Sequence, residues 1–570
     1  MYTIQKLEQA VLQAVKAATG RQYTPGVEEI TEPPDSKWGD VAFPCFLLSK
    51  ELGRPPVEIA AELAPKIPRK GYIQSAEARG PYINIFFDPI AVAKETLAEI
   101  SEMGAQFGTW ETGAKKKVMV EYAQLNTHKA THVGHVRNMV LGRAVVNLLR
   151  SLGYEVITAG FHGDVGTHVA TTLWGLEKFH KDEEPPAKGR GLWLNRIYSE
   201  AVKYLEEHPE KKADMLALNK KFEAGDRALK KIWKQTRSWS IKELDQVFKE
   251  LKVELDRRYY ESEMEAPARV IVEDLLKRAL AVKSEGAIIV PLDAYGLGAF
   301  LILKSDGSTL YATRDLALAQ KKFEEYPLDR SIHAVDSRQS LHFQQLFKTL
   351  ELMGFKKPME HVPYEFVTLK GGALSSRKGN IVSYEEFRDA VMMAASQETK
   401  ARHEKWSERK IKNASWAITE AAIKFSMLLP DVNRAIVFDV GTAISFDGAT
   451  GPYIQYTGAR INSILRKAAS TLKPFDGILP QELNQKEKEL LMMLARYPRV
   501  VLASGTAMRP APLAEYLFHL AKKFAEFYET VSVLKASPSE KTFRLGLIGA
   551  IRSVLENGVA LLGFSLPKEM

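Results

Sequence analysis

The chain contains a strand, a helix and a second strand in direct succession between Lys116 and Asp164. The run KKVMVEYA predicts a buried strand, VRNMVLGRAVVNLLRSLG predicts a helix, and YEVITAGFHGD predicts a second strand. This order is a βαβ unit, the core of a parallel, doubly wound sheet. Functional side chains in such sheets collect where strands end and helices begin. The segment NTHKATHVGHVRN, residues 126–138, lies at such a place.

Further domains are expected around this unit, because 570 residues are too many for one ordinary domain. Helical and strand patterns mix near the N-terminus, and nearly every segment after Trp416 has the pattern of an amphipathic helix. We therefore expect a Rossmann-like α/β catalytic domain with parallel sheet, an N-terminal α+β domain and a C-terminal all-α domain. The expected boundaries are 1–110, 115–390 with a helical insertion at about 174–269, 391–440 for a connecting helical segment, and 441–570.

Composition narrows the class of protein. Lys and Arg exceed Asp and Glu by 79 to 70, which favours a polyanionic partner, although a basic protein without one is equally compatible. The single cysteine, Cys45, excludes an internal disulfide and a cysteine-based zinc site. The sequence has no signal-peptide pattern and no apolar run of about 18 residues. We therefore expect a cytoplasmic protein with no membrane association.

The segment NTHKATHVGHVRN allows three interpretations. His128 and His132 have the i, i+4 spacing of metal ligands, but Lys129 stands where a metalloprotease has its glutamate and would repel a dication. The histidines could also be ordinary loop residues. A phosphate site explains more of the segment, because a helix N-terminus favours anions and Gly134 lets a flat ring approach the backbone. His132 and His135 would share one side of the first helical turn, with Lys129 as a fixed positive charge.

The stretch EYAQLNTHKATHVGHVRN resembles the HIGH signature of class I aminoacyl-tRNA synthetases. Asn126 and Lys129, upstream of the signature, resemble the arginyl-tRNA synthetase family in particular. The chain departs from that pattern at Ala123-Gln124-Leu125, where Ser-Ser-Pro is common, and at Val133. The resemblance implies an arginine–tRNA ligase that uses ATP with Mg²⁺ as co-substrate, holds no tight cofactor or metal, and binds L-arginine and its tRNA. We expect it to be a monomer.

A second signature of the same class is expected near the end of the catalytic domain. ALSSRKGN, residues 373–380, resembles a degenerate KMSKS loop in which alanine and serine replace the usual lysines. By the resemblance, Ser375, Ser376 and Lys378 would act in catalysis with His132, His135 and Lys129. A basic, glycine-flanked surface turn is the alternative, and Lys129 would compensate for the missing lysines.

Substrate residues follow from the resemblance, position by position. Glu121, Asn126, Tyr311, Asp315 and Gln339 would bind arginine, since a guanidinium requires anionic and polar partners. Asp315 could instead pair with Arg314 or cap a helix. Lys129, His132, Gly134, His135 and His342 would bind ATP. The stretch FHGDVGTH keeps Asp164 and Gly166 of a family motif but has His168 in place of glutamine, which leaves the role of that position open.

The residues expected to contact tRNA lie near both ends of the chain. Tyr453, Tyr456 and Tyr528 would contact the anticodon region, because aromatic rings beside cations suit splayed single-stranded bases. The resemblance to the family also implies that the terminal Met570 approaches the anticodon and that Tyr82 and Asn84 in RGPYINIFF face the tRNA elbow. Aromatic residues at helical spacing are also common in protein cores.

Two rival functions remain. The protein could be a nucleotidyltransferase that shares HxGH, or a tRNA-binding relative without activity.

Overall fold

The structure, a computed structural model, describes residues 1–20, 23–305, 307–370, 382–468, 475 and 477–570. The chain divides into two compact units. The first consists of Met1–Trp110, Ser445–Ala507 and Pro512–Met570, and the second of Glu111–Ile444 and Met508–Ala511. Within these described ranges, no helix combines the length and the apolar character needed to cross a membrane.

The N-terminal part of the first unit is a three-stranded antiparallel sheet with helices packed around it. Its elements are α1 (Thr3–Ala18), β1 (Val41–Pro44), α2 (Phe46–Leu52), α3 (Pro56–Leu63), β2 (Ile73–Arg79), β3 (Tyr82–Phe87) and α4 (Pro89–Met103). β3 is the central strand, and its Ile83 and Ile85 share a core with Leu7 and Val11 of α1. This part is the predicted α+β fold.

The second unit is built on a five-stranded sheet. Its elements up to the last helix of the insertion are β4 (Lys117–Glu121), α5 (Val133–Ser151), β5 (Glu155–His162), α6 (Thr167–Phe179), α7 (Arg190–Glu207), α8 (Lys212–Glu223), α9 (Arg227–Leu251), β6 (Arg257–Tyr260) and α10 (Glu261–Lys277). The remainder are β7 (Val282–Ser284), β8 (Ala287–Pro291), β9 (Ala299–Leu303), α11 (Tyr311–Glu325), β10 (Arg330–Asp336), α12 (Ser340–Leu352), β11 (Met359–Tyr364), β12 (Val367–Leu369), α13 (Tyr384–Arg402), α14 (Glu408–Leu428), β13 (Ile436–Phe438) and α15 (Val440–Ala443).

The order of the five strands is β11-β10-β4-β5-β6, and every neighbouring pair is parallel. The chain moves from β4 to β5 and β6, and then returns to the other side of β4 with β10 and β11. The strand order therefore reverses between β4 and β10, which is the topological switch point of a doubly wound sheet. β7, β8 and β9 form a separate antiparallel sheet, and β12 pairs with β13.

The predicted helical insertion, 174–269, is mostly helical but also contains the edge strand β6. The sequence RRYY conceals this strand, because its two arginines resemble the surrounding charged helices. Arg257 and Arg258 bind carboxylates outside the sheet, at 2.8 Å from Glu263 and 2.5 Å from Asp245. Tyr259, between them and the next helix, is fully buried in the core of the second unit.

The C-terminal part of the first unit is entirely helical among the residues that the structure describes there. Its helices are α16 (Gly451–Lys467), α17 (Gln485–Thr506), α18 (Ala511–Thr530) and α19 (Pro538–Leu561). α4 of the N-terminal part packs against α17 and α19, so the two ends of the chain form one unit. The predicted fold class is confirmed, and the domain boundaries stay predictions.

Candidate active site at the carboxyl edge of the parallel sheet

Several predicted functional residues of the second unit lie at the switch point. β4 ends at Glu121, and the loop after it leads to His132 at the start of α5. β10 ends at Asp336, and the following turn carries Gln339 at the start of α12. Ligands of open α/β sheets bind in the crevice outside the carboxyl ends of such strands. The HVGH segment therefore borders the expected ligand crevice.

His132 and His135 form a stacked pair at the N-terminus of α5, with ring centroids 3.6 Å apart. His132 is the N-cap residue, and its Nδ1 accepts a hydrogen bond of 3.2 Å from the Gly134 backbone N–H. His135 Nδ1 accepts one of 3.2 Å from the His132 backbone N–H. A Cβ on Gly134 would lie 3.0 Å from the His132 ring, so the glycine makes room for that imidazole.

These hydrogen bonds select the tautomer of both imidazoles. Because each Nδ1 is an acceptor, the proton of the neutral ring must be on Nε2. Burial lowers the pKa of His132 to about 4, and the nearby Lys129 lowers it further. Burial, His132 and Lys129 hold the pKa of His135 well below its usual range. At neutral pH the pair therefore consists of two neutral rings, each with an Nε2–H donor.

Lys129 is held beside this pair by an aromatic ring. Its Nζ lies 4.9 Å from the ring centroid of Tyr198 on α7, a cation–π contact. The helical insertion thus supplies a residue that positions the cation of the signature segment. The sequence alone did not identify Tyr198.

His128, the third histidine of the segment, is a structural residue. It is fully buried and has a left-handed backbone conformation with a φ of 64°. Its Nδ1 lies 2.9 Å from Thr127 Oγ1, and its Nε2 lies 2.8 Å from Thr236 Oγ1 on α9. Burial lowers its pKa to about 3. Among the described residues, no group of three histidine, cysteine or carboxylate side chains could hold a metal ion.

Asp315, the fifth residue of α11, pairs with His342 of α12. His342 Nε2 donates a hydrogen bond of 2.6 Å to Asp315 Oδ2, and the aspartate side chain is 21% exposed. Burial raises the pKa of Asp315, and the hydrogen bond from His342 opposes this effect. His342 was expected at the ATP ribose; its Nε2 is engaged by Asp315 here, and the ribose contact stays a prediction.

Arg314 does not pair with Asp315. Its guanidinium binds Glu261 at 2.9 Å and Glu265 at 2.6 Å, both on α10. Burial raises the pKa of Glu261 to about 8, although Arg314 opposes the rise. The neighbouring arginine is thus satisfied elsewhere, and Asp315 keeps its carboxylate for another cation.

Glu121 is buried at the end of β4 and is already paired. The Lys322 ammonium, on α11, forms an ion pair with Glu121 Oε2, and Gln124 Nε2 donates to Glu121 Oε1 at 3.2 Å. His333 Nδ1 lies 3.8 Å from Glu121 Oε2. Burial alone would raise the pKa of Glu121, but the Lys322 ammonium lowers it below its ordinary value.

The remaining predicted substrate residues differ in exposure. Tyr311 is 55% exposed at the N-terminus of α11, and Gln339 is exposed at the start of α12. Asn126 lies over Gly163, because a Cβ added to this glycine would be 2.1 Å from Asn126 Oδ1.

His168 is buried, with an Nε2 that has no hydrogen-bond partner among the described residues, and burial lowers its pKa to about 4. Ser375, Ser376 and Lys378 lie outside the described residues.

The predicted tRNA-binding residues belong to the first unit. Tyr82 is 36% exposed and contacts Phe46, whereas the Asn84 side chain is buried within the sheet. Arg460 lies 5.8 Å from the Tyr456 ring and 4.7 Å from the Tyr528 ring, so these three residues form one aromatic and cationic cluster. Tyr453 packs against Phe518, and Met570 is half-buried at the chain end.

Two residues of α5 that the sequence analysis did not single out hold this helix in place. Arg137 is almost fully buried and donates to several backbone carbonyls, including those of Glu365 at 2.5 Å and Arg434 at 2.8 Å. Asn138 accepts from the Ala123 N–H at 2.6 Å and donates to Ala334 O at 2.8 Å. The sequence did not distinguish Arg137, because α5 carries two further arginines, Arg143 and Arg150.

Comparison with known proteins identifies the class first. The family model described as "tRNA synthetases class I (R), catalytic domain" matches residues 97–439. "DALR anticodon binding domain" matches residues 454–570, and "Arginyl tRNA synthetase N terminal domain" matches residues 5–87. The second unit is therefore the catalytic domain of a class I aminoacyl-tRNA synthetase.

Individual relatives define the family. The chain is 38% identical to the arginine–tRNA ligase of Bdellovibrio bacteriovorus over 552 residues, which cover 95% of this chain and 94% of the relative. It is 34% identical to that of Clostridium perfringens, over 95% and 96% of the two chains. The arginyl-tRNA synthetase of Thermus thermophilus superposes with a TM-score of 0.81 at 25% identity, over 99% and 100% of the two chains. The chain belongs to the arginyl-tRNA synthetase family.

Proposed function

We propose that the protein activates L-arginine with ATP and transfers the arginyl group to the 3′-terminal adenosine of its tRNA. The observation that carries this proposal is the state of Asp315, a largely buried carboxylate at the ligand crevice. The adjacent Arg314 is bound by two other carboxylates, so Asp315 can receive the guanidinium of a substrate. Membership of the family, with relatives that carry the name arginine–tRNA ligase, supports the same reaction.

In the first step, the arginine carboxylate attacks the α-phosphate of ATP and pyrophosphate leaves. The stacked His132 and His135 supply two neutral Nε2–H donors to the phosphate oxygens, where negative charge builds in the transition state. Lys129 adds a fixed positive charge. Since catalysis needs no covalent intermediate, it rests on positioning and charge stabilisation. Mg²⁺ enters with ATP as part of the co-substrate.

In the same proposal, Asp315, Glu121 and Tyr311 recognise the guanidinium side chain. Asn126 and Gln339 hold the amino and carboxylate groups of the substrate. His342 orients Asp315 and adjoins the ATP ribose. In this proposal Ser375, Ser376 and Lys378 also serve the phosphates.

The second step requires the tRNA to be held by the first unit. Arg460 with Tyr456 and Tyr528 offers a cation and two aromatic faces to unpaired bases, and exposed Tyr82 offers a further ring. Tyr453, Asn84 and Met570 stay predicted contacts. We include a monomeric state and a cytoplasmic location in the proposal, and light scattering of the purified protein tests the former.

Pyrophosphate exchange with each amino acid, with and without total tRNA, tests the proposed function. Among the amino acids, we expect only arginine to support exchange, and we expect tRNA to stimulate it. Arginyl-tRNA should then form. Exchange with another amino acid, or tRNA binding without any exchange, would overturn the proposal. A nucleotidyltransferase would instead release pyrophosphate without any dependence on an amino acid.

A further inference from the structure

The pairing of Glu121 with Lys322 raises a question about arginine recognition, because Glu121 is expected to bind the substrate. Lys322 is completely buried, and its ammonium contacts a carboxylate that is itself only 4% exposed. Two charges taken out of water require good geometry and further hydrogen bonds to be tolerated. Gln124 supplies such a bond to the second oxygen of Glu121.

The helix α11 carries Lys322 and Asp315 on the same face. The two residues are seven positions apart, which is two helical turns. One face of a single helix therefore presents a buried cation to Glu121 and a buried anion to the crevice. The carboxylates of Asp315 and Glu121 are close enough to influence each other, since Glu121 raises the pKa of Asp315 and Lys322 lowers it.

Among the described buried charges around the crevice, Glu121 and Arg314 have partners of opposite charge, whereas the partner of Asp315 is an imidazole. Glu121 pairs with Lys322, and Arg314 pairs with both Glu261 and Glu265. Burial lowers the pKa of His333 to about 3, so this histidine is neutral and adds no cation beside Glu121. Asp315 remains, with the imidazole of His342 as its hydrogen-bond donor.

We propose that Lys322 is a positioning residue for arginine recognition, because it neutralises Glu121 from inside the protein and fixes the orientation of that carboxylate. The carboxylate left for the guanidinium is then that of Asp315, whose partner is an imidazole and not a lysine or an arginine. Glu121 Oε1 is held as an oriented hydrogen-bond acceptor. This inference rests on the proposed function, since it describes how that same site selects arginine.

Removal of the lysine should impair arginine binding rather than the chemistry on ATP. Two neighbouring buried carboxylates without a cation tend to share a proton, and a protonated acid presents a donor where the guanidinium needs an acceptor. For Lys322→Met and Lys322→Gln we expect the KM for arginine in pyrophosphate exchange to rise roughly 10- to 100-fold, within the range of coupling between residues in contact. The KM for ATP should stay unchanged.

The pair of variants Glu121→Gln and Glu121→Gln/Lys322→Met shows whether Lys322 acts through Glu121. The double variant should have the same KM for arginine as Glu121→Gln alone, because no carboxylate is left to position. It also removes both buried charges, so it is expected to fold if Lys322→Met does not. Lys321→Met, which removes a cation paired with Glu325 on the same helix, is the matched control and should keep the wild-type KM.

A purely structural ion pair would give a different result. Lys322→Met and Lys322→Gln would then melt at lower temperature while the folded enzyme kept the wild-type KM for arginine, and that outcome overturns the inference. Additive effects of the two substitutions on KM would also overturn it. A wild-type protein that shows no arginine-dependent exchange would instead reject the proposed function itself.

Discussion

The imidazole of His342 donates a hydrogen bond of 2.6 Å from Nε2 to Oδ2 of Asp315. The His342 ring is also held edge-on against Phe300, with a centroid distance of 5.7 Å. The direction of the Asp315 carboxylate is therefore set before a substrate arrives. Such preorganisation reduces the conformational cost of binding a guanidinium.

Replacement of Asp315 by Asn should weaken arginine binding. The variant keeps the shape of the side chain but removes the charge, which should cost about 2–5 kcal/mol for a buried charge pair. Isothermal titration with L-arginine measures this loss directly. Asp274→Asn removes a carboxylate that pairs with Arg278 at the surface of the same unit, and it should leave the affinity unchanged. Wild-type arginine affinity in Asp315→Asn would contradict the assignment.

Replacement of His135 by Ala should lower the rate of pyrophosphate exchange by roughly 10²–10³-fold, the usual effect of one lost transition-state donor. The same substitution removes the acceptor for the His132 N–H, so some stability is lost with it. His135→Asn is a useful companion, because an amide oxygen can replace Nδ1 as the acceptor at the helix start. We expect His135→Asn to melt close to the wild type and still exchange slowly; full activity would exclude the catalytic role.

Replacement of Lys129 by Met should lower the exchange rate and raise the pKa of His132. Lys129 is one of the causes that lower this pKa, so its removal leaves burial as the main remaining cause. NMR titration of the His132 ring measures the pKa, and Lys129→Arg serves as the control because it keeps the positive charge over Tyr198. An unchanged pKa in Lys129→Met would show that the ammonium does not act on the imidazole.

The second unit should lose stability as the pH falls from 6.5 towards 3. The folded-state pKa of His128 is about 3, below the ordinary value of 6.5, so the unfolded chain binds more protons in this interval. The contribution of neutral His128 is complete above pH 6.5, and by pH 5 it should have fallen by about 2 kcal/mol. Urea unfolding at pH 7 and pH 5 measures the loss. His128→Gln, which does not titrate, should lose less on acidification; an equal loss would assign the effect to other groups.

Replacement of Arg460 by Gln should raise the KM for tRNA and reduce its dependence on salt. A cation that contacts phosphate contributes a slope of about one in the logarithm of salt concentration, and one that stacks on bases contributes less. Arg552→Gln is the control, since Arg552 is paired with Glu556 in the same unit. Aminoacylation at two salt concentrations measures the change, and an unaltered KM for tRNA would remove Arg460 from the predicted interface.

Much of the fold could be predicted because local patterns and the sheet agree. The alternation of strand and helix signals from Lys116 onwards predicted the parallel sheet, and the helical periodicity after Trp416 predicted the all-α part. The strand β6 was not predicted, since two arginines that bind carboxylates outside the sheet give it the appearance of a charged helix. The sequence also gave no indication that the two ends of the chain form one unit, because packing of α4 on α17 and α19 depends on distant surfaces.

The candidate site also has a part that could be predicted from the sequence and a part that could not. The sequence by itself determined the local structure of the HVGH segment. The strand before it, the N-cap and the first helical turn depend on contacts between residues that are close in the sequence. It also predicted Asp315 as an arginine-binding residue, but it could not decide whether Arg314 or another group binds that carboxylate.

Only the tertiary structure decided the partners of the buried charges. Lys322 pairs with Glu121 across 201 positions of sequence, and Arg137 reaches the Glu365 carbonyl across 228. A buried charge is stable only with a partner at hydrogen-bonding distance, and which residue fills that place depends on how helices pack on the sheet. Local patterns therefore predicted where the proposed phosphate donors lie, and long-range packing decided which cation each buried carboxylate binds.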